Sequence, residues 1–388
     1  MMPTEVIQVE LRDGPPAIRL RGETQTLFVV VTDDGRPVDL FRIPSPVGGV
    51  LQSIEVRQRV KANLARASSD VKDVRPTRAD TPVSIIVPTR ERPDDLTRCL
   101  ESLVRVHNDS VHEVIVVDSG PTTDRTAAVV RRFGVRYESV PLPGANRARN
   151  AGVRAAHHEI VAFVDDDVVV SETWLPEISA PFADQSVGCV TGLVLPLELE
   201  TDSQEQFELY SQYRRDLHSR VYSRSVLRPS AASRVGLGAN MAFRRDVVLG
   251  LGGFDARFGP GMRTRTGDET DMFARVLDAG SLIVYTPDAY VWHRHRRSVR
   301  EVRSCLFGYG VGTYGVLTKR LFEQLDLGVF LTAGWCLAGP LVKAAIAQLG
   351  GRPTPSWNLL LAETAGAACG PLCFGYEAWR SRAVRADR

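Results

Sequence analysis

None of the six cysteines in this 388-residue chain forms a C-x-x-C pair, and none has the spacing of a zinc site. Structural zinc clusters and a redox dithiol are therefore excluded as organising features. Cys369 and Cys373 lie four apart in an apolar stretch, where packing is the expected role. Unpaired cysteines of this kind suit a reducing cytoplasm. The N-terminus lacks the apolar core of a secretion signal, because Glu5, Glu10, Arg12 and Asp13 interrupt it. An excess of one charge is also missing. The formal net charge of +2 decides nothing about a polyanionic partner, and no nucleic acid is expected.

What the chain does have is apolar content of 44% against 24% charged residues, enough for a globular core. Its length suits one large domain or two ordinary ones. Residues 1–67 read as a small β-rich module. Gln25–Thr32 and Pro37–Phe41 flank Asp34-Gly35, a hairpin signal, and Leu51 to Ala67 has helical spacing. Residues 68–82 are polar, contain Pro76 and Pro82, and read as a linker.

From Val83 the sequence alternates between strand and helix. Strands are expected at Val83–Pro88, Val114–Asp118, Val135–Glu138 and Ile160–Val164, with helices at Asp94–Leu103, Asp124–Phe133 and Ala145–Ala156. Such alternation predicts an α/β fold, a mostly parallel sheet with helices on both faces. Ligands bind beyond the carboxyl ends of such strands. Polar residues stand at those ends: Thr89-Arg90-Glu91, Asp118-Ser119-Gly120 and Asp165-Asp166-Asp167.

The aspartate triplet carries the most information. Three anions at the tip of a buried strand need a counter-charge, and a divalent cation such as Mg²⁺ or Mn²⁺ supplies one through oxygen ligands. A solvated acidic turn explains the triplet alone equally well. Asp118 can accept from the imide N–H of a pyrimidine, or it can simply cap a turn. Gly144–Gly152 opens a helix with Arg147 and Arg149, and Arg149 is the residue placed to meet phosphate. Gly236–Arg245 is a glycine segment running into a short strand, either an acceptor wall containing Asn240 or a plain turn and strand. Asp268-Glu269-Thr270-Asp271 puts three acids in four residues at a helix start, more than capping requires, and a general base for a sugar acceptor is such a carboxylate. Trp292-His293-Arg294-His295 follows the strand Leu282–Tyr285 and Pro287, and His293 is a candidate further metal ligand. The basic run Arg294, Arg296, Arg297, Arg300, Arg303 suits a diphosphate, an anionic lipid surface or a solvated face.

In this order and spacing, the motifs over residues 82–310 resemble a family-2 glycosyltransferase of the GT-A fold. The resemblance implies that Pro88, Thr89, Arg90, Glu91 and Asp118 hold the nucleobase. It implies that Asp165-Asp166-Asp167 is the family's Asp-x-Asp motif, with Asp165 and Asp166 on the donor. Asp167 would bind the metal, which His293 completes. One departure stands out. The family shows Glu-Asp-x-Asp where this chain has Asp268-Glu269-Thr270-Asp271. By position the base is Glu269, by residue type Asp268, and the position is preferred. Asn240 and Asp271 are then expected at the acceptor. The implied reaction is an inverting transfer from a nucleoside-diphosphate sugar to a hydroxyl of a glycan, lipid-linked or small-molecule acceptor. Segment 259–267 is a candidate lid.

The transferase domain is expected over 83–310 and a helical apolar region over 311–388. Leu327–Leu349 and Asn358–Tyr376 approach the length of membrane spans, but Lys343 and Glu363 interrupt them. A packed helical pair is preferred, then attachment to the inner face of the cell membrane, then a transmembrane hairpin. Two other functions compete: a sugar-phosphate nucleotidyltransferase, and a non-catalytic nucleotide-sugar or membrane-binding module. The first normally needs a glycine-rich phosphate loop with a lysine, and Arg90 stands in its place.

Overall fold

The computed structural model describes residues 4–12, 14, 16–21, 25–64, 81–106, 112–211, 216–351 and 353–386. The linker expected at 68–82 lies outside the described residues except for its last two positions.

At the N-terminus come β1 (Thr4–Glu10), β2 (Ala17–Arg19), β3 (Thr26–Asp33), β4 (Arg36–Pro44), β5 (Val50–Gln52) and α1 (Ser53–Leu64). Strands β3 and β4 form the hairpin, with Asp33 opposite Arg36. Asp34 and Gly35 both have left-handed φ, 56° and 73°, as a two-residue type I′ turn demands. Leu51 belongs to a strand rather than the helix, because β5 pairs with β2 and sets Leu51 opposite Ile18. One face of β3 packs Leu27, Val29 and Val31 against Val56 and Val60 of α1. The opposite face sends Phe28 and Val30 onto Leu193, Leu195 and Tyr290. The hairpin is thus seated on the larger sheet.

That sheet takes the alternating segment β6 (Val83–Thr89), α2 (Pro93–Val106), β7 (Glu113–Ser119), α3 (Arg125–Phe133), β8 (Arg136–Val140), α4 (Ala145–Ala155) and β9 (Ile160–Val164). It continues through β10 (Val168–Val170), α5 (Trp174–Ser179), β11 (Val187–Pro196), α6 (Asp202–Ser211), β12 (Arg220–Tyr222), β13 (Asn240–Arg244), α7 (Arg245–Gly250), α8 (Asp268–Asp278) and β14 (Leu282–His293). Strand order is β10-β14-β11-β13-β9-β6-β7-β8, with β12 also on β14. The block β9-β6-β7-β8 is parallel, whereas β13 enters antiparallel between β9 and β11, so the sheet as a whole is mixed. Every residue of β6 and β9 is buried, as expected of strands covered on both faces. Side-chain alternation splits the core. Val87, Leu100, Val116 and Trp174 fill one side, and Ile86, Phe163, Phe243 and Phe273 the other. Strand β14 runs on through Pro287 instead of stopping before it. Its register against β11 slips between Gly192 and Val194, and this irregularity tolerates a residue without an N–H.

Three helices follow: α9 (Val299–Gln324), α10 (Val329–Leu349) and α11 (Trp357–Ala386). Ser298 and Glu301 form a capping box that starts α9. The second apolar stretch does not pair mainly with the first, as the sequence suggested, but with α9. Glycines permit the approach: a Cβ on Gly310 would lie 2.0 Å from the Glu363 carbonyl oxygen, and one on Gly366 2.0 Å from that of Phe307. Both α10 and α11 are long and apolar enough to cross a membrane, yet 39% of the apolar stretch of α11 is buried against 11% for α10.

Candidate active site

The chain leaves β9 after Val164 and turns at once into β10, with the Val168 N–H donating to the Asp165 carbonyl at 3.2 Å. This turn carries the three aspartates. Because β10 pairs antiparallel with the end of β14, Val168 lies opposite His293. Register therefore brings a histidine 126 positions from Asp167 to the same strand tip, with Nε2 3.2 Å from Asp167 Oδ1.

The triplet divides its partners. Asp166 accepts from Thr89 Oγ1 at 2.8 Å and from Arg92 Nη1 at 2.6 Å. Asp167 accepts from Arg92 Nη2 at 2.9 Å, and Arg296 Nη1 lies 3.4 Å away. Asp165 faces Arg149 Nη2 at 3.4 Å. Burial pushes the Asp166 carboxyl up to about 7 despite Arg92. Burial opposes ionisation of Asp167 too, but the His293, Arg92 and Arg296 charges hold it well below the usual carboxylate range. Burial likewise works against a charged His293, and the Asp167 carboxylate overrides it and raises the imidazole. One oxygen each of Asp165 and Asp167 and a ring nitrogen of His293 lie within 4.8 Å of one another. Two carboxylates and an imidazole are a donor set that fits a hard divalent cation.

On the facing wall, Gly267 (φ 92°) precedes α8 and lets Asp268 and Glu269 emerge at its first turn. Both acids line the cleft. Asp268 is buried and takes Arg149 Nη1, which also donates to Asn146 Oδ1 at 3.1 Å. Glu269 lines the cleft, and burial plus the neighbouring Asp268 charge raise its carboxyl to about 8. Gly238 closes over this pair, since a Cβ there would lie 3.4 Å from Glu269 Cβ and 3.5 Å from Arg149 Nη2. The cavity that contains both groups measures about 1340 Å³ over its whole extent and is also lined by Pro88, Thr89, Arg90 and Ser119.

Four predicted site residues lie elsewhere or are committed elsewhere. Asp271 is buried outside the cleft, held by Lys319 Nζ at 2.6 Å and Arg275 Nε at 2.9 Å. Asn240 is buried in the core: its Oδ1 accepts from Trp174 Nε1 at 2.9 Å, and its Nδ2 donates to the Leu193 and Ala289 carbonyls at 3.1 and 2.7 Å. Neither has a group left for an acceptor. Glu91 accepts from the backbone and hydroxyls of Thr122 and Thr123, bonds that pull its carboxyl down to about 2. It fastens the loop after β7 rather than facing the cleft. Asp118 is buried behind Ser119, with Tyr137 OH donating to Oδ2 at 3.2 Å. Its Oδ1 has no hydrogen bond among the described residues, and burial raises its carboxyl.

Sequence reasoning missed Arg92, which bridges Asp166 and Asp167 from the start of α2. Its position just beyond the tip of β6 and before Pro93 was the available signal. Of the basic run, Arg296 reaches the cleft, whereas Arg294 pairs with Asp95 and Glu198, and Arg297 with Glu198 and Glu200.

Residues 84–249 match the family model described as Glycosyl transferase family 2. The chain carries a family 2 glycosyltransferase domain. The match spans β6 to α7. Among similar proteins is a pre-mycofactocin glycosyltransferase of Mycobacterium tuberculosis, 26% identical over 363 residues, covering 89% of this chain and 72% of the relative. The succinoglycan biosynthesis protein ExoM of Rhizobium meliloti is 26% identical, covering 78% of this chain and 89% of its own. A solved mannosyltransferase from Pyrobaculum calidifontis, in complex with GDP-Man and Mn²⁺, superposes with a TM-score of 0.49 at 19% identity, over 86% of this chain and 82% of that one. Sequence similarity to the two relatives extends over 89% and 78% of the chain.

Proposed function

We propose that the enzyme moves a sugar from a nucleoside-diphosphate sugar to an acceptor hydroxyl with inversion at the anomeric carbon. The observation that carries this reading is Glu269, a carboxyl raised to about 8 on one wall of the cleft, opposite the Asp165–Asp167 turn. A base poised near neutral pH is suited to taking a hydroxyl proton. The acceptor oxygen attacks the anomeric carbon as its proton passes to Glu269. The bond from that carbon to the diphosphate breaks, and the electron pair leaves on the nucleotide. Asp268 keeps Arg149 in place behind the base, and Arg149 and Arg296 lie where the diphosphate charge grows. Pro88, Thr89, Arg90 and Ser119 line the part of the cleft that takes the nucleobase, and Asp118 supports that wall from behind.

Asp165, Asp167 and His293 would hold the divalent cation, Mg²⁺ or Mn²⁺. When bound, it neutralises negative charge on the leaving diphosphate. The acceptor is a glycan or a lipid-linked glycan. The relative named for succinoglycan biosynthesis supports a glycan acceptor. The apolar residues that α10 exposes support a cytoplasmic enzyme seated on the inner face of the cell membrane.

Thermal unfolding with UDP, dTDP, GDP and ADP, each with Mn²⁺ or with EDTA, tests the donor site. A ligand at a hundred times its dissociation constant adds about 2.7 kcal/mol of stability. One nucleotide should stabilise the protein only with metal present. No shift with any of the four in folded protein would overturn the reading.

A further inference from the structure

The cleft does not end at the donor wall. The same cavity continues to α10, where Leu331, Trp335, Leu337 and Leu341 line it, and to α11, where Leu360 and Ala367 do. Between these ends stand the stacked rings of Tyr210 and Tyr309, 6.2 Å apart. One end of the cavity therefore holds carboxylates and arginines, and the other is lined mostly by apolar side chains, with Lys343, Glu363, Thr332 and Thr364 among them.

Helix α10 is unusual in having little protein on either side. Trp335 is 73% exposed although it lines the cleft, and on the rest of the helix Phe330, Val342, Ile346 and Leu349 are exposed as well. Lys343 is its sole charged residue. An isolated apolar face of this extent calls for an apolar occupant. The occupant on the cleft side has to share one cavity with the donor. A flexible chain can do so, whereas a second copy of the protein packed there would close the site.

We propose that this end of the cleft seats the hydrocarbon chain of a membrane-resident acceptor, while the outer face of α10 lies in the lipid surface. The inference rests on the transferase reading for the place of sugar transfer, narrows the acceptor to the lipid-linked class and says where its chain lies. The acceptor's hydroxyl head points to Glu269 and its tail runs along α10. Entry from the membrane needs no exposure of the tail to water. Each fully buried methylene contributes about 0.8 kcal/mol, so two extra methylenes on an acceptor should tighten binding by about tenfold.

The test uses the full chain and its Leu331→Ser, Trp335→Ser double variant. Flotation with phosphatidylcholine vesicles, with and without phosphatidylglycerol, reads the surface. Binding of octyl glucoside below its micelle concentration, compared with methyl glucoside, reads the vestibule. The wild type should float with vesicles and prefer the octyl probe by at least about tenfold. The variant should lose both while keeping the nucleotide- and metal-dependent thermal shift. Equal binding of the two glucosides, or no flotation, with that thermal shift intact in the wild type overturns this inference and leaves the transferase reading standing. Loss of the shift in the wild type instead removes the transferase reading. A concentration-dependent dimer that Trp335→Ser dissociates, without vesicle binding, assigns α10 to a second copy and also overturns the inference.

Discussion

Replacing Glu269 by Gln keeps the shape of the side chain and removes its titration. The wild-type carboxyl has an ordinary value of 4.5 and is raised to about 8 in the fold, first by burial and then by the Asp268 charge. At pH 7 only about a tenth of the molecules then carry the ionised base. Transfer should therefore rise with pH until it levels above about 8. Glu269→Gln should lower turnover by about a hundredfold to ten-thousandfold with little change in nucleotide affinity. Stability should move the other way. A group raised on folding makes its full contribution below its unfolded value and loses it as pH climbs through the folded one. Relative to the variant, the wild type should thus lose stability between about pH 4.5 and 8, by about 3 kcal/mol at pH 7. The assay is urea unfolding of both proteins across that range, together with nucleotide release from the donor that the thermal shifts identify. A stability difference that stays flat with pH, or a variant that transfers sugar within twofold of wild type, would show that Glu269 is not the raised base.

Three further outcomes are expected. Asp167→Asn should abolish the Mn²⁺-dependent part of the nucleotide thermal shift, and an unchanged shift would place the cation elsewhere. Arg149→Met leaves buried Asp268 and the adjoining Asp165 without their shared guanidinium, and should cost about 3–5 kcal/mol in urea unfolding; a loss below about 1 kcal/mol would show that the carboxylates find other partners. Gly310→Ala puts a methyl 2.0 Å from the Glu363 carbonyl oxygen and should cost about 1–3 kcal/mol by prising α9 from α11; a neutral result would contradict the close packing of those helices.

Much of the fold was legible because its signals are local. The strand and helix alternation from Val83 to Val164 follows from side-chain periodicity, and the Asp34-Gly35 turn from the two positive φ angles its hairpin requires. The three polar strand tips were readable for the same reason, since a parallel block puts their carboxyl ends on one edge. Sequence could not distinguish residues that share a motif but not a direction. Successive side chains on a helix diverge by about 100°, so Asp268 and Glu269 reach the cleft, Asp268 holding Arg149, while Asp271 turns away towards Lys319. Asn240 looked like part of a pocket because a glycine segment precedes it, yet β13 runs through the middle of the sheet and buries it.

Composition and periodicity are enough to read the α/β core, the acidic turn after β9 and the apolar character of the last two helices. Which distant groups meet follows from strand pairing and helix packing. The pairing of β10 with β14 delivered His293 to Asp167, and the packing of α2 delivered Arg92. Glycine contacts joined α11 to α9 and left α10 to line the cleft. Strand register and helix docking are settled by the summed burial of many side chains, and no single motif contains that sum.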